Sequence, residues 1–152
     1  MAGQLCYCNS GEVALVASTA KSILQIKAAT NQRVLVRSLR FTGKQAAGGT
    51  DTPVKIRMTR NSANFGTFTS QTAAKNNPSN GETVQTSVGQ NATVEPTSPT
   101  DTNLWWEVQP QLGIEEFLPI TQPIDIPGGQ SVQFEATSGA TPTILLTAGF
   151  EE

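Results

Sequence analysis

The sequence contains no histidine among its 152 residues. Imidazole is the usual general base and a frequent metal ligand, so its absence excludes a Ser-His-Asp triad in its usual form and any zinc site that needs imidazole. Phosphate-binding motifs of the G-x-x-x-x-G-K-[ST] and G-x-G-x-x-G types are also missing. These absences predict a protein that is not an enzyme and that uses no metal or other cofactor.

Charged residues are scarce, at 14% of the chain, about half of the usual ~25%. Long surface helices are rich in Glu and Lys, so this shortage argues against an α-helical protein. No stretch reaches the roughly 18 apolar residues that span a membrane, so no membrane partner is expected. Residues 1–10 lack a basic segment followed by an apolar run, which predicts assembly in a cytoplasm without a secretory signal.

Cysteine is limited to Cys6 and Cys8. A disulfide between residues two positions apart is strained, because the bond requires a narrow geometry. A lone C-x-C pair without a second ligand pair is also a poor zinc site. The sequence therefore predicts two free thiols.

Alternation of apolar and polar residues is the dominant pattern. In residues 53–60, for example, Val54, Ile56 and Met58 are expected to point inward while Lys55 and Arg57 point outward. Such alternation is typical of antiparallel strands with one buried face. It predicts about eight strands, at residues 11–18, 22–28, 32–42, 53–60, 103–109, 114–118, 130–136 and 142–150.

Evenly spaced short strands separated by turn residues predict an all-β protein. Eight strands in two sheets favour a jelly-roll-like antiparallel β-sandwich, with an immunoglobulin-like sandwich as the alternative. Residues 61–102 have few large apolar side chains and are read as a long loop excursion with one or two short strands. The predicted organisation is an N-terminal arm at residues 1–10 and a single sandwich domain at residues 11–152.

The two signs of charge are separated along the chain. All ten Lys and Arg residues lie between Lys21 and Lys75, and ten of the twelve acids lie from Glu82 onward. If the two halves interleave in one sheet system, these charges cancel within the fold. If they form opposite faces, they become an assembly device, because opposite potentials steer association. The net charge of −2 lacks the basic excess of a nucleic-acid binder, so no nucleic-acid partner is expected.

A series of basic residues occupies two strands that are expected to be neighbours. One interpretation is a solvated sheet face neutralised by the acidic late strands, and the other is a docking face for an acidic partner such as a capsid lattice. The series comprises Arg33, Arg37, Arg40, Lys55, Arg57 and Arg60.

Trp105 and Trp106 are adjacent in a predicted strand, so they point to opposite faces. Both rings are buried if the long excursion covers the outer one; otherwise the outer ring anchors a subunit interface or provides a platform for a sugar. The candidate partner interface therefore consists of Arg33, Arg37, Lys55, Arg57 and Trp105.

Several short segments, taken in order, resemble a family of small proteins encoded among bacteriophage head genes. In that family a strand of roughly the form T-A-x-T-[VI]-L-Q is followed by A-A-T-N-x-R-V, which enters a long strand. The matching segments here are Ala17–Gln25, Ala28–Val34, Phe41–Gly43, Pro53–Ile56, Thr93–Thr97 and Phe150–Glu152.

The resemblance implies a jelly-roll cement or decoration protein of a tailed-bacteriophage capsid. Such proteins sit as trimers over local three-fold positions on the outer surface of the shell, so the implied partners are the major capsid protein and two further copies of the chain. The family has no catalytic residues to transfer. The alternative function is a carbohydrate- or receptor-binding module of a phage fibre or spike, since jelly rolls serve both roles. A small RNA-virus coat protein would carry a basic N-terminal arm, which residues 1–19 lack.

Overall fold

Antiparallel β-strands form the fold. The computed structural model describes residues 3–45, 49, 52–97, 99–118 and 121–152, and within these ranges there is no helix. Among the described residues there is accordingly no helix long and apolar enough to cross a membrane. The strands are β1 (Leu5–Asn9), β2 (Val13–Ala14), β3 (Lys21–Lys27), β4 (Val34–Lys44), β5 (Val54–Asn61), β6 (Thr67–Gln71), β7 (Ala74–Lys75), β8 (Ser87–Val94), β9 (Thr100–Val108), β10 (Ile114–Phe117), β11 (Ile124–Ile126), β12 (Ser131–Ser138) and β13 (Thr143–Glu151).

Two sheets pack face to face. The first has the order β10-β4-β13-β1-β7, with β11 also pairing with β4 and β2 with β13, and the second has the order β6-β8-β3-β12-β5-β9. Eight of these strands, termed the framework strands, form two four-stranded halves, β10-β4-β13-β1 and β3-β12-β5-β9. This is the strand order of a jelly roll, so the predicted all-β jelly-roll sandwich is confirmed.

The core lies between the two sheets and follows from the alternation in the sequence. Val54, Ile56 and Met58 point inward from β5, as predicted, and are at most 1% exposed. Phe134 on β12, which is fully buried, lies with its ring centroid 6.2 Å from that of Trp106. The large inward side chains of both sheets thus meet in one hydrophobic layer.

The excursion at residues 61–102 is more regular than predicted. It contains β6, β7 and β8, which extend both sheets: β8 pairs with β3, β6 with β8, and β7 with β1. Part of it also covers the outer face of β3, where Gln25 Nε2 donates a hydrogen bond of 2.8 Å to the Phe65 carbonyl. An edge strand is held by backbone hydrogen bonds, which do not depend on its side chains. Because β6 is mostly exposed, its sequence shows little alternation of apolar and polar residues.

The segment predicted as an N-terminal arm is instead part of the sandwich. Residues 1 and 2 lie outside the described ranges, but residues 5–9 form β1, which is hydrogen-bonded between β13 and β7. Cys6 and Cys8 point into the core and are 0% and 3% exposed. The segment is part of the sandwich because a free cysteine packs as a small hydrophobic residue. The alternation of Cys6 and Cys8 with polar neighbours is therefore an apolar alternation, although cysteine is not among the usual strand-forming apolar residues.

Both thiols are free, and burial suppresses their reactivity. Burial raises the pKa of Cys8 to about 12, and burial together with the charge of Glu152 raises the pKa of Cys6. Since the thiolate is the reactive species, we expect neither thiol to react appreciably with iodoacetamide in the folded protein at about pH 8. Mass spectrometry should find two labels only after unfolding in guanidinium chloride. Full labelling of the folded protein at the rate of free cysteine would contradict this assignment.

Candidate functional site

The predicted interface residues fall on two different surfaces. Arg33 precedes β4 and Arg37 lies within it, in the first sheet, whereas Lys55 and Arg57 lie on β5, in the second sheet. The prediction that these basic residues lie on neighbouring strands is therefore wrong. In a jelly roll the chain crosses between sheets after β4, so β4 and β5 do not pair.

The two predicted interface residues of the first surface, Arg33 and Arg37, are neutralised by acids from the second half of the chain. Arg33 makes a bidentate ion pair with Asp125, at 2.7 Å from Nε to Oδ1 and 2.8 Å from Nη2 to Oδ2. The hydrogen bonds from Arg33 lower the pKa of Asp125 below its ordinary value. Arg37 Nη2 lies 2.8 Å from Glu151 Oε2. At these positions the two halves interleave and their charges cancel, so this surface fits the interpretation of a neutralised sheet face.

On the second surface, three of the predicted residues come together. β5 and β9 pair so that Arg57 faces Trp105 and Lys55 faces Glu107 across the strands. The Arg57 guanidinium lies 5.5 Å from the centroid of the Trp105 ring, and its Nη2 donates a 2.7 Å hydrogen bond to Glu135. The ion pair with Glu135 restricts the Arg57 guanidinium. The contact between the guanidinium and the Trp105 ring in turn restricts the position of the indole.

The two tryptophans have opposite environments. The Trp106 ring points into the sandwich, 5.6 Å from the ring of Phe41, and its Nε1 donates to Glu116 Oε2. Trp105 is 53% exposed. The interpretation in which both rings are buried is therefore wrong, and the outer ring is available to a partner.

A β-bulge shapes the strand that carries Trp105. Arg57 pairs with Trp105, but Thr59 pairs with Asp101, so three residues of β9 face Met58 alone. Asn103 adopts a φ of 58°, in the left-handed region that asparagine tolerates better than most residues. Strict alternation in the predicted strand at residues 103–109 would place Leu104 on the same inward face as Trp106, but Leu104 is 44% exposed. Sequence reasoning missed this residue because a bulge shifts the phase of the alternation.

Leu104 and Trp105, together with Lys55, Arg57 and Glu107, form a surface that we call the edge patch. It lies on β9 and its neighbour β5, and β9 is one of the two edge strands of the second sheet in the described part of the chain. Lys55, Glu107 and the two tryptophans line a shallow cavity of about 470 Å³ on this surface. Aromatic and arginine side chains of this kind dominate the energetics of protein interfaces.

A groove of about 420 Å³ opens beside the edge patch, where the edges of the two sheets face each other. Met58, Leu118 and Ile124 contribute apolar walls, and Arg60 and Glu116 contribute charges. The Arg60 guanidinium donates to the Asp125 carbonyl and so links β5 to β11 in the opposite sheet.

The same side of the sandwich exposes further apolar surface. Leu112, between β9 and β10, is 84% exposed, and Ile114, on the edge strand β10, is 40% exposed. Among the described residues, no three side chains of His, Cys, Asp or Glu are grouped closely enough to hold a metal ion. The edge patch offers a large indole surface flanked by both signs of charge.

We compared the chain with known proteins in three ways. No protein-family model, no curated protein and no solved structure matches it.

Proposed function

We propose that this chain is a structural protein of a tailed-bacteriophage head that binds the outside of the major capsid protein lattice and stabilises the shell. The observation that carries the proposal is the half-exposed Trp105 on the edge of a rigid jelly roll, beside exposed Leu104. The resemblance to phage head proteins supports it, since its segments Ala17–Gln25, Ala28–Val34 and Pro53–Ile56 run into the framework strands β3, β4 and β5. In this role the protein acts by binding rather than by catalysis.

The fold suits such a role because the two sheets hold the edge patch in place. A trimer with cyclic symmetry would present three identical patches. Linked contacts raise avidity by about 10²–10⁴ over a single contact, so each patch needs only moderate affinity. A shell under outward pressure from packaged DNA is then held at several points at once.

Two measurements test the proposal. Light scattering behind a size-exclusion column should give a mass of three times 16.1 kDa. The protein should also co-sediment, to saturation, with heads assembled from the major capsid protein of the phage that encodes it. A failure to co-sediment would overturn the capsid assignment. A monomeric mass would contradict the proposed trimer but not the capsid assignment.

A second candidate function is carbohydrate or receptor binding at the same patch. The exposed Trp105 ring beside Lys55 and Glu107 offers a stacking surface with hydrogen-bonding groups at its rim. Saturable glycan binding that is lost in Trp105→Ala, without co-sedimentation with heads, would favour this candidate over the first.

A further inference from the structure

The connection between β7 and β8 carries the only Asn-Gly pair in the sequence, Asn80-Gly81. Asparagine followed by glycine is prone to lose its side-chain amide, because the glycine nitrogen that attacks this amide has no Cβ beside it. Gly81 is exposed and lies outside any strand. A Cβ added to it would meet no atom within 4 Å. A reactive pair of residues therefore stands where water and base have access to it.

A turn sets the position of Asn80. Its backbone nitrogen donates a hydrogen bond of 3.1 Å to the Asn77 carbonyl. Pro78 takes the second position of this turn, where its fixed φ is favourable. The chain then continues through Gly81 without regular structure until β8 begins.

The attacking group is the Gly81 nitrogen, which must first lose its proton. In the described part of the chain this N–H donates no hydrogen bond, so no acceptor holds the proton. The charge of the anion is shared with the Asn80 carbonyl oxygen, because the two atoms belong to one conjugated peptide group. Lys75 Nζ donates a hydrogen bond of 2.9 Å to that oxygen. A charged donor stabilises developing negative charge more than a neutral one does, so Lys75 favours the reactive anion.

The group under attack is the Asn80 side-chain amide. Its Oδ1 accepts a hydrogen bond of 3.1 Å from the backbone nitrogen of Glu82. This oxygen becomes an oxyanion when the nitrogen adds to Cγ, so the Glu82 N–H acts as a donor of the oxyanion-hole type. The hydrogen bonds from Lys75 and Glu82 therefore reach the two oxygens on which negative charge develops.

Both ends of the connection are attached to the sandwich. Lys75 lies on β7, which pairs with β1, and its Nζ also donates to the Glu82 carbonyl. Further along, the Glu152 carboxylate accepts hydrogen bonds from the backbone nitrogens of Gln85, at 3.0 Å, and Thr86, at 2.9 Å. The position of Lys75 relative to the turn is thus a property of the folded protein and is lost on unfolding.

We propose that Asn80 is a site of spontaneous deamidation that Lys75 promotes. The deprotonated Gly81 nitrogen forms a bond to Cγ of Asn80, the bond from Cγ to Nδ2 breaks, and Nδ2 takes up a proton and leaves as ammonia. Water then opens the succinimide ring. Cleavage at the backbone carbonyl carbon gives isoaspartate, and cleavage at Cγ gives aspartate.

The products differ from the original chain where Lys75 holds it. Each replaces a neutral amide with a carboxylate, and isoaspartate also adds one carbon atom to the main chain. The reaction involves no residue of the edge patch and does not depend on the proposed capsid function.

Peptide mapping by mass spectrometry tests the proposal on the full-length chain. One sample is incubated folded in a mildly alkaline buffer, and another is incubated unfolded in guanidinium chloride at the same pH and temperature. We expect the Asn80 peptide to gain about 1 Da with time, and to do so faster in the folded sample. Asn77 is the internal control, because the next residue, Pro78, has no N–H to deprotonate. No conversion of Asn80, or faster conversion in the unfolded sample, would overturn the proposal.

Two substitutions at Lys75 isolate its contribution. Lys75→Met removes the ammonium group, and we expect the folded protein to deamidate about tenfold more slowly. Lys75→Arg keeps a charged donor and should restore most of the rate. Lys44→Met, which removes an exposed lysine from β4, should leave the rate unchanged. Equal rates for Lys75→Met and the unmodified protein would show that Lys75 does not promote the reaction.

Gly81→Ala tests the attacking nitrogen with little risk to the fold. The φ of Gly81 is not positive, and there is open space for the added Cβ. The methyl group hinders the approach of the nitrogen, so we expect conversion of Asn80 to slow about tenfold or more. Conversion at an unchanged rate would exclude the succinimide route and with it the proposed role of Lys75.

Discussion

Replacing Phe134 with alanine is expected to lower the free energy of unfolding by about 3–5 kcal/mol. Phe134 is fully buried, lies on β12 between β3 and β5, and packs its ring against Trp106. Removing it takes away apolar surface that is buried on folding and leaves a cavity that surrounding strands cannot fill. Domains of this kind are typically stable by about 5–15 kcal/mol, so the variant is expected to be near its limit of folding.

Urea unfolding followed by tryptophan fluorescence measures this effect, with the slope m as a check on two-state behaviour. Phe68→Ala is the matched control, because Phe68 lies half-buried on the edge strand β6. The control should cost less than about half as much as Phe134→Ala, since less apolar area returns to water. Equal costs for the two variants would contradict the placement of Phe134 at the centre of the core.

Replacing Trp105 with alanine is expected to weaken binding to capsid shells about 30-fold per contact, as for an interface side chain worth about 2 kcal/mol. In a trimer the loss applies at each of three contacts, so co-sedimentation should fall below detection at concentrations where the unmodified protein saturates the shell. Stability should change little, because Trp105 is half-exposed and its stacking on Arg57 contributes only about 0.5–1 kcal/mol.

Val94→Ala is the control for this prediction. Val94 is 58% exposed at the end of β8, and three strands of the second sheet separate β8 from β9. It should bind shells as the unmodified protein does. If Trp105→Ala remains folded and co-sediments normally, the edge patch is not the capsid-binding surface, even though the unmodified protein binds capsid shells.

Much of the fold was predictable because side-chain direction in a strand has a period of two. Val54, Ile56 and Met58 are buried as the alternation predicts, and their strand lies in a jelly roll as the number and spacing of strands suggest. Trp105 was a predicted interface residue for the same reason: of two adjacent tryptophans in a strand, one must point outward.

Other features were not predictable from local patterns. β1 relies on Cys6 and Cys8 as buried side chains, and the strands of the excursion at residues 61–102 form mainly through backbone pairing. Leu104 is exposed by a bulge whose only local signal is Asn103. In each case the missing information concerns a partner strand that is distant in the sequence.

The sequence by itself determined the all-β class, the positions of most framework strands and the residues that face inward, because these depend on the local pleat. The tertiary structure alone decided which strands are neighbours. It placed the basic residues of β4 and β5 in opposite sheets, paired Arg33 with Asp125, and grouped Lys55 and Arg57 with Trp105. The physical reason is that strand pairing and sheet packing join residues far apart in the chain, whereas the period of a strand concerns only its immediate neighbours.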